Sequence, residues 1–547
     1  MAKKPFFYVN EPTSPKLDEF DYDVIIVGSG ITGLSAAHKI LKKDCGITLL
    51  IIEGSDKIGG RVAVSGGTRG FFIDERQQHI KYLISKLGLM AINRREIEGE
   101  KKRVYYSRTG PIIQSHNMFD EVNGFIDRLD LTAENIELKT YEDYPDAERL
   151  ARTSLNDLII NCISSSKAQE FIKAIAYTIC GNFINNRVEA VSVSALWFIV
   201  MGIGAGGLRR RMKFALGNKR RQFIPDGASK VRKKLQSELE SGDYKIQTKS
   251  VVNLIEFNDV CVYVSVRNGD QYKCEYVIVA VPPPESSKIK ILPPKEEVAR
   301  SQRSHEPGKG TFFLAMYDEP WWLENNYSGD IFGSKDNPSR FRLVYDATYP
   351  GLLSGNYLAG FFKGNSPQVA KNSGHPLRAL RNCWVQTIWG ENSTRQYSTD
   401  CKSFAEWRWP RENEETGIAE GGYPMTVMRP SHIKNHINPM LMPHKRVYWA
   451  CSEYARCWPG TLDGAVESGE YAACSILFQL RPQSLNSQEL RFITPNTVVR
   501  RKNDLPLDLV ALRFFTMGIV TAVLIIFCKP VTCARLQKYI ENGFQKL

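Results

Sequence analysis

A strand, a glycine-rich turn, a helix and a second strand follow one another at the start of the chain, and this order is the strongest constraint on its fold. Residues 23–27 (DVIIV) form a continuous apolar run, as in a strand buried on both faces of a parallel sheet. The turn GSGITG at 28–33 and an alanine-rich helix to about Leu41 come next, and a second apolar run, Ile47–Ile52, ends at Glu53. Such a βαβ unit predicts a parallel sheet with helices on its faces.

The glycines of the turn have the spacing of a dinucleotide-binding loop. GxGxxG alone is a weak signal, but here it lies between a strand and a helix, where it has a physical meaning. Gly28 would permit a tight turn, Gly30 would let the backbone approach a pyrophosphate, and Gly33 would let the helix pack closely on the strand. Glu53 follows Gly33 by 20 residues and is placed to bind a ribose hydroxyl, which disfavours the 2′-phosphate of NADP.

A second glycine-rich segment, Gly59–Val62 (GGRV), comes six residues after Glu53. It could be an ordinary surface turn. Alternatively, the glycine pair lets the loop lie against a cofactor, and Arg61 binds its phosphates through charged hydrogen bonds. Its position directly after the βαβ unit favours the second interpretation.

Charge and cysteine content limit the class of protein. The net charge of +13 and the pI near 9.0 suit solubility, a nucleic acid or an anionic membrane. No zinc-finger or RNA-binding signature is present, so no nucleic-acid partner is predicted. The 12 cysteines include no CxxC pair or metal-ligand spacing, which predicts no metal site and a reducing compartment.

Hydrophobic periodicity and turn residues divide the rest of the chain into helical and strand-rich stretches. Residues 481–506 are polar and irregular and are interpreted as a linker. The predicted stretches are a helix at 76–89, a mostly helical segment at 150–215, strands at 245–281 and from Thr311 to Phe362, a helix at 376–395, and a strand, loop and helix at 446–479.

Several segments, in a fixed order, together resemble the flavin-containing amine oxidases, and the monoamine oxidases most of all. The βαβ unit with GGRV resembles the family's N-terminal FAD signature. The further matching segments are VEAVSVSALWFIV (188–200), RQFIPDGASKV (221–231), YVIVAVPPP (276–284), YDEPWW (317–322) and VYWACSEYARCWPGTLDGAVESGEYAA (447–473).

The resemblance implies an α/β fold in which a Rossmann-type FAD-binding domain is interleaved with an α+β substrate domain, followed by a C-terminal transmembrane helix. The expected divisions are an N-terminal tail (1–20), the FAD-binding domain (21–85, 224–300 and 400–480), the substrate domain (86–223, largely helical, and 301–399), a linker (481–506), an anchor (507–529) and a short tail (530–547).

The resemblance also assigns site residues. Tyr423 matches one of two tyrosines that guide the amine toward the flavin, so it is the candidate catalytic residue. The N-terminus of the helix that follows Thr461 would stabilise negative charge on reduced flavin. The candidate FAD-binding residues are Gly28, Ser29, Gly30, Thr32, Gly33, Glu53, Gly59, Gly60, Arg61, Val251, Trp409, Ser452, Glu453, Thr461 and Leu462.

The implied activity is oxidative deamination of a small primary amine to an imine and then an aldehyde, with O2 reduced to H2O2. Two alternatives stay open. One is a membrane-anchored FAD-binding protein with lost or altered catalysis, acting as a scaffold or sensor. The other is a polyamine or amino-acid oxidase. The resemblance also allows a homodimer.

Departures from the family pattern fall near the expected chemistry. The monoamine oxidase cysteine that links FAD corresponds to Gly422, so non-covalent FAD is predicted. The second guiding tyrosine corresponds to Thr461, which is too small to form half of an aromatic cage.

Three further departures affect the surroundings of the flavin. The family lysine that contacts flavin N5 through water corresponds to Phe312, and Lys309 lies three residues away. A backbone glycine is replaced by Cys451. The glycine-rich loop after residues 73–75 is shortened. Either substrate choice or activity has drifted, or the ungapped alignment is displaced at one or two of these places.

The C-terminal region contains a run of 15 uncharged residues, Phe514–Cys528. As a helix it would span about 22 Å, short of the roughly 30 Å bilayer core. Arg513 and Lys529 could extend its reach by snorkelling. A buried core helix is the alternative. The basic flanks resemble the tail anchor of monoamine oxidases, which implies the mitochondrial outer membrane with the body facing the cytosol, or else the endoplasmic reticulum.

The basic run at 208–221 (LRRRMKFALGNKRR) is interpreted as a solvated helix face or loop. In the resembling family this region lies near the substrate entrance. Contact between this run and anionic lipid beside the anchor is therefore expected.

Overall fold

The structure is a computed structural model, in which the chain forms two units, residues 1–493 and 494–547. The predicted helix at 376–395 and the predicted anchor at 507–529 lie outside the described residues. The described residues are 20–63, 71–96, 101–107, 110–111, 116–136, 144–180, 192–215, 221–239, 244–308, 310–333, 341–351, 355–363, 401–409, 411–413, 416–421, 425–432 and 442–494.

The predicted βαβ unit is confirmed at the centre of a sheet to which eight of the described strands contribute. Tyr22–Val27 pairs in parallel with Leu49–Ile52 on one side and with Gln271–Val279 on the other. Val447–Trp449 is added in parallel beside Gln271–Val279. The side chains of the first strand from Val24 to Val27 are buried, which explains its unbroken apolar sequence.

This sheet takes its strands from three separate stretches of the chain. Hydrogen bonds across the sheet therefore connect residues 22–52, residues 244–292 and residues 447–449. In spatial order along the sheet, its strands are Lys290–Leu292, Val252–Phe257, Val262–Val266, Gln271–Val279, Tyr22–Val27, Leu49–Ile52 and Tyr244–Gln247, with Val447–Trp449 beside Gln271–Val279.

A second, mixed sheet carries the strand-rich region predicted from Thr311 onward. Gly310–Tyr317 lies between Ser403–Trp409 and Asn356–Lys363, and its pairing with both is antiparallel and without a register shift. Ser403–Trp409 thus belongs to this sheet, although the 400–480 segment is assigned above to the FAD-binding domain. The domain boundaries themselves stay a prediction. The remaining strands of this sheet are Phe341–Asp346, Tyr327–Gly333, Lys102–Ser107 and Gly110–Pro111.

Short strands and helices complete the described part. The helices predicted at 76–89, within 150–215 and at the end of 446–479 are confirmed. The short strands are Phe72–Asp74, Ile92–Asn93, Arg221–Phe223, His305–Pro307, Arg411–Glu412, Ala419–Glu420 and Thr426–Met428. The helices are Ile31–Leu41, Gln78–Lys86, His116–Glu134, Ala147–Arg152, Leu155–Cys162, Ser166–Ile179, Ala195–Ile203, Leu208–Ala215, Ala228–Leu239, Pro283–Ser286, Glu296–Arg303, Trp321–Glu324, Leu462–Leu480 and Ser487–Ile493.

The helix Leu462–Leu480 packs tightly against the helix of the βαβ unit. A Cβ at Gly469 would lie 2.3 Å from the carbonyl oxygen of Thr32, so only glycine permits this approach. The contact fixes the N-terminus of the long helix relative to the glycine-rich turn.

The helix Ser487–Ile493 corrects the interpretation of 481–506 as an irregular linker, and a buried acid attaches this helix to the helix of the βαβ unit. The Glu489 carboxylate accepts from Lys39 and Lys43 at 2.8 and 2.6 Å. Burial opposes its ionisation, but the hydrogen bonds from the two lysines outweigh burial and hold the pKa of Glu489 at about 2.

The basic run at 208–221 is not a continuous solvated face, which corrects that interpretation. Arg210 and Lys213 are exposed, but Arg211 and Arg221 are buried. The guanidinium of Arg221 lies between the rings of Phe72 and Tyr345, 4.2 and 4.6 Å from their centroids. Residues 216–220 lie outside the described residues.

Among the described residues, no helix combines the length and the hydropathy that crossing a bilayer requires.

Candidate cofactor and active site

The glycine-rich turn is shaped by close backbone contacts. Gly28 has φ of +102°, in the region that favours glycine, and a Cβ on Gly33 would lie 2.0 Å from the Gly28 carbonyl oxygen. These two glycines are therefore required by the turn itself. Gly30 differs, because a Cβ there would meet no atom of the described residues within 4 Å. Relative to those residues the space beside Gly30 is open, as a bound pyrophosphate would need.

Glu53 is held in one position at the end of the second strand. One carboxylate oxygen accepts from the backbone N–H and the hydroxyl of Ser29, at 2.9 and 2.6 Å. The other accepts from the N–H of Ser55 at 2.9 Å. A carboxylate oxygen has a further lone pair, so a ribose hydroxyl can still donate to this fixed acid.

A cavity of about 380 Å³ brings most of the predicted cofactor residues together. It runs from the glycine-rich turn and Glu53 to an apolar region among the helices and the second sheet. The predicted residues that line it are Gly28, Gly30, Thr32, Glu53, Gly59, Gly60, Arg61, Val251, Trp409, Ser452, Thr461 and Leu462.

The other predicted cofactor residues act behind the cavity wall. Ser29 positions Glu53, Gly33 permits the turn, and Glu453 pairs with Arg61. Val251, by contrast, lines the cavity, and its carbonyl oxygen accepts from the N–H of Arg267 at 2.9 Å.

Arg61 and Glu453 form an ion pair at the cavity wall, with 28% and 3% of their side chains exposed. The guanidinium also donates to the Ser452 hydroxyl at 2.7 Å, while its Nε is buried with no partner among the described residues. Burial opposes ionisation of Glu453, but the charge of Arg61 and hydrogen bonds from Cys451 and Ser452 outweigh it and lower the pKa. Since Arg61 also lines the cavity, this residue is suited to donate to a cofactor oxygen.

The thiol of Cys451 does not project freely toward a cofactor. Its Sγ donates to Glu453 at 2.6 Å, and its N–H donates to the Ser468 hydroxyl at 2.9 Å. Burial, and then the charge of Glu453, raise the pKa of this thiol well above its usual value. Cys451 is therefore a neutral donor that helps fix Glu453.

The helix Leu462–Leu480 begins at the cavity. Thr461 is its N-cap, since its hydroxyl accepts from the N–H of Gly464 and donates to the Trp458 carbonyl oxygen at 2.7 Å. The cap holds the helix N-terminus at the wall, where its dipole favours negative charge. The hydroxyl of Thr461 is occupied by capping, and it supplies no aromatic wall.

The far end of the cavity is aromatic and apolar. Phe71 lines it and stacks on buried Phe312, with ring centroids 4.9 Å apart and planes at 16°. Phe312 sits in a strand of unbroken register, opposite Phe361. The strand position that resembles the family's lysine is thus part of an aromatic cluster.

Three residues that the sequence analysis singled out cannot be placed relative to the cavity. Tyr423, Gly422 and Lys309 lie outside the described residues. Phe72–Asp74 is followed by a turn at 75–76 and then by the helix Gln78–Lys86, whereas the shortening of this loop relative to the family stays a prediction.

Several cavity residues were not predicted, and the charged residue Arg211 is the most notable of them. Arg211 lines the cavity with only 4% of the residue exposed, on the same helix face as buried Leu208 and Met212. That spacing of three and four residues was a usable signal within the basic run. Tyr345, Leu343 and Ile179 also line the cavity, but no local sequence pattern identified them.

Comparison with known proteins agrees with this geometry. The flavin containing amine oxidoreductase family matches residues 31–477. Amine oxidase (flavin-containing) A of Canis lupus familiaris is 26% identical over 473 residues, covering 83% of this chain and 85% of the relative. Amine oxidase (flavin-containing) B of Homo sapiens is also 26% identical, with 83% and 86% covered.

Solved structures show the same fold. A double mutant of putrescine oxidase superimposes with a TM-score of 0.69 at 21% identity, covering 83% of this chain and 99% of that structure. Cyclohexylamine oxidase from Brevibacterium oxydans IH-35A gives 0.68 at 21% identity, with 84% and 99% covered. With the family match across most of the chain and a cavity shaped for a dinucleotide, the protein belongs to the flavin-containing amine oxidoreductases as a divergent, FAD-dependent enzyme of that family.

Proposed function

We propose that this protein oxidises the C–N bond of a primary amine and uses O2 as the electron acceptor. The observation that carries the proposal is the single cavity that joins the Gly30 and Glu53 end to an aromatic, apolar end. FAD in the first part would bring its reactive ring toward a substrate in the second. The names of the relatives, amine oxidases A and B, putrescine oxidase and cyclohexylamine oxidase, support amine oxidation.

The roles of the chain's own residues follow from their positions. Glu53 would hold the ribose, the backbone at Gly30 would accommodate the pyrophosphate, and Arg61 would face the cofactor while Glu453 anchors it. The N-terminus of the helix after Thr461 would stabilise negative charge on the ring. Tyr423 would orient the amine, as its match to the family's tyrosine implies.

When bound, FAD would supply the redox chemistry, namely the transfer of two electrons from the substrate to O2. The amine loses its α-hydrogen and a nitrogen proton and becomes an imine. Water then hydrolyses the imine to a carbonyl compound and ammonia, while O2 gains two electrons and two protons to become H2O2. The protein's part is to orient the amine and exclude bulk water with the apolar end of the cavity.

A second candidate function has a specific observation in its favour. Phe312 is locked in an aromatic cluster, and Thr461 is occupied as a helix cap. These positions resemble the family's lysine and second tyrosine, so FAD could be bound without turnover of amines.

The visible spectrum of detergent-solubilised full-length protein distinguishes the two. We expect a yellow protein that releases its flavin on denaturation, because Gly422 offers no thiol for a covalent link. Anaerobic addition of primary amines should bleach the flavin, and air should restore the colour with one H2O2 formed for each amine consumed.

A yellow protein that no amine bleaches would support the binding-protein alternative. Flavin that stays with the denatured protein would refute non-covalent attachment. Lys213→Met changes an exposed residue of the helix Leu208–Ala215 and serves as a control for substitution as such. Its visible spectrum, its flavin release and its bleaching by amines should equal those of the unchanged protein.

We also propose that residues 507–529 anchor the protein in the mitochondrial outer membrane. The support is the charge-free run Phe514–Cys528 between Arg513 and Lys529. Fractionation of cells should place the full chain in carbonate-resistant mitochondrial membranes, and removal of 507–547 should release it. Recovery in microsomal membranes would favour the endoplasmic reticulum, and unchanged membrane retention after truncation would refute the anchor.

A further inference from the structure

We propose that Arg211 is a carboxylate-binding residue, so that the preferred substrate is an apolar amine that also carries a carboxylate. This inference rests on the proposed function for the oxidation step. The binding of the carboxylate is a separate property of the cavity and can be tested without turnover.

Arg211 is a buried cation with no acidic partner among the described residues. One nitrogen, Nη2, donates to the Pro459 carbonyl oxygen at 2.9 Å. The other, Nη1, is buried and has no hydrogen-bond partner within the part of the chain that the structure describes. An unpaired buried donor on a charged group is costly and calls for an explanation, such as an ordered water, an ion or a bound ligand.

The charge of Arg211 persists at neutral pH. Burial lowers the pKa of its guanidinium to about 10, and the nearby Cys180 thiol acts in the opposite direction. Burial also raises the pKa of Cys180, so this thiol stays neutral and supplies no counter-ion. Arg211 is therefore a cation in the cavity lining for which the described residues supply no compensating negative charge.

The other cations at the cavity wall are accounted for differently. Arg61 is paired with Glu453, whereas Arg267 and Lys288 are exposed. Arg211 is thus the buried cation, within the described lining, that is left for an incoming anion.

The surroundings of Arg211 point to the substrate rather than to a phosphate of FAD. Its helix neighbours Leu208 and Met212 belong to the same apolar core as Ile179 and Tyr345, which line the substrate end of the cavity. The glycine-rich turn packs in a different core. The contact with Pro459 also places Arg211 beside the loop that leads into Thr461 and the helix N-terminus.

An apolar wall with one unpaired guanidinium favours ligands that combine an apolar part with a carboxylate. The apolar part of the substrate would fill the aromatic end, and its carboxylate would accept from Arg211, whose planar donors match carboxylate geometry. If the carboxylate is on the reacting carbon, the same oxidation and hydrolysis give a 2-oxo acid, ammonia and H2O2.

The test compares the FAD-loaded full-length protein with Arg211→Met and with Arg210→Met, an exposed control in the same helix. The first readout is binding without turnover, in which 3-phenylpropanoate is titrated and the flavin absorption spectrum is followed. We expect equal affinity in the unchanged protein and Arg210→Met, and about 10- to 150-fold weaker binding in Arg211→Met, as for loss of a charged hydrogen bond.

The second readout is anaerobic bleaching by phenylalanine and by phenethylamine, which differ only in the carboxylate. The unchanged protein should be bleached faster by phenylalanine, and Arg211→Met should reverse that order. If Arg211→Met loses its FAD or does not fold, Arg211→Gln replaces it, because glutamine retains a donor for Pro459 without the charge.

The outcomes separate this inference from the proposed function. Equal binding of 3-phenylpropanoate by all variants would overturn the inference. The inference would also fail if phenethylamine were oxidised faster than phenylalanine and Arg211→Met left that rate unchanged. Either result would leave amine oxidation standing. Arg211-dependent binding with no bleaching by either compound would support the carboxylate site and refute amine oxidation.

Discussion

The buried pair of Arg61 and Glu453 should make unequal contributions when each partner is removed. Arg61→Met leaves a carboxylate with 3% of its side chain exposed and no cation beside it, which should cost about 3–5 kcal/mol of folding free energy. Glu453→Gln leaves an arginine with 28% of its side chain exposed toward the cavity, where water can reach it. That change should cost less, about 1–3 kcal/mol.

The double variant Arg61→Met, Glu453→Gln should be more stable than the two single costs predict, with a coupling of about 1–3 kcal/mol. The assay is urea unfolding of the flavin-free protein, so that lost FAD contacts do not enter. Arg61→Met removes the largest of the influences that lower the pKa of Glu453, while burial and the hydrogen bonds from Cys451 and Ser452 remain. The pKa of Glu453 should therefore be higher in Arg61→Met than in the unchanged protein, and the cost of the substitution should grow as pH rises through the interval between the two values.

The matched control is the exposed pair of Lys42 and Glu238, whose side chains are 54% and 36% exposed. The corresponding double variant should show a coupling of about 0–0.5 kcal/mol. A coupling for Arg61 and Glu453 no larger than this, or a greater cost for Glu453→Gln than for Arg61→Met, would refute the reasoning.

Further predictions concern the turn, the last helix and the cap. Gly33→Ala, whose Cβ would overlap the Gly28 carbonyl, should cost about 3 kcal/mol in urea unfolding. Gly30→Ala should instead keep flavin-free stability within about 0.5 kcal/mol but weaken FAD at least about tenfold in titrations, and equal FAD affinity would contradict the cradle. Because the lysines hold the pKa of Glu489 at about 2, below 4.5 in the unfolded chain, Glu489→Gln should cost up to about 3 kcal/mol at pH 7. That cost should be complete above pH 4.5 and disappear as pH falls toward 2, whereas a pH-independent cost would show that the ion pair is not its source. Thr461→Ala should lower stability by about 1 kcal/mol and Thr461→Ser should not, as thermal unfolding would show.

The features that were predictable from sequence are those with local patterns. The strand at 22–27, its glycine-rich turn and the fixed acid Glu53 each follow from neighbouring residue types and spacing. The helix Gln78–Lys86 follows from amphipathic spacing in the same way. Family resemblance then supplied distant residues such as Ser452, which the fold brings to the same cavity.

The features that sequence reasoning missed depend on contacts between distant segments. Arg211 and Arg221 lie in a run whose composition indicates exposure, yet tertiary packing buries both. The aromatic end of the cavity combines Phe71 and Tyr345, which come from different elements and have no shared motif. The roles of Tyr423 and the C-terminal anchor stay predictions.

The strand order of the first sheet has a consequence for synthesis of the protein on the ribosome. Tyr22–Val27 emerges early, but its neighbour Gln271–Val279 follows some 250 residues later, and the strand beside that one ends at Trp449. Until then, the nascent chain carries an apolar strand with an open edge, which favours aggregation. Folding of this enzyme should therefore be largely post-translational and dependent on chaperones, and a chain that stops before Val447 should not yield a soluble FAD-binding fragment.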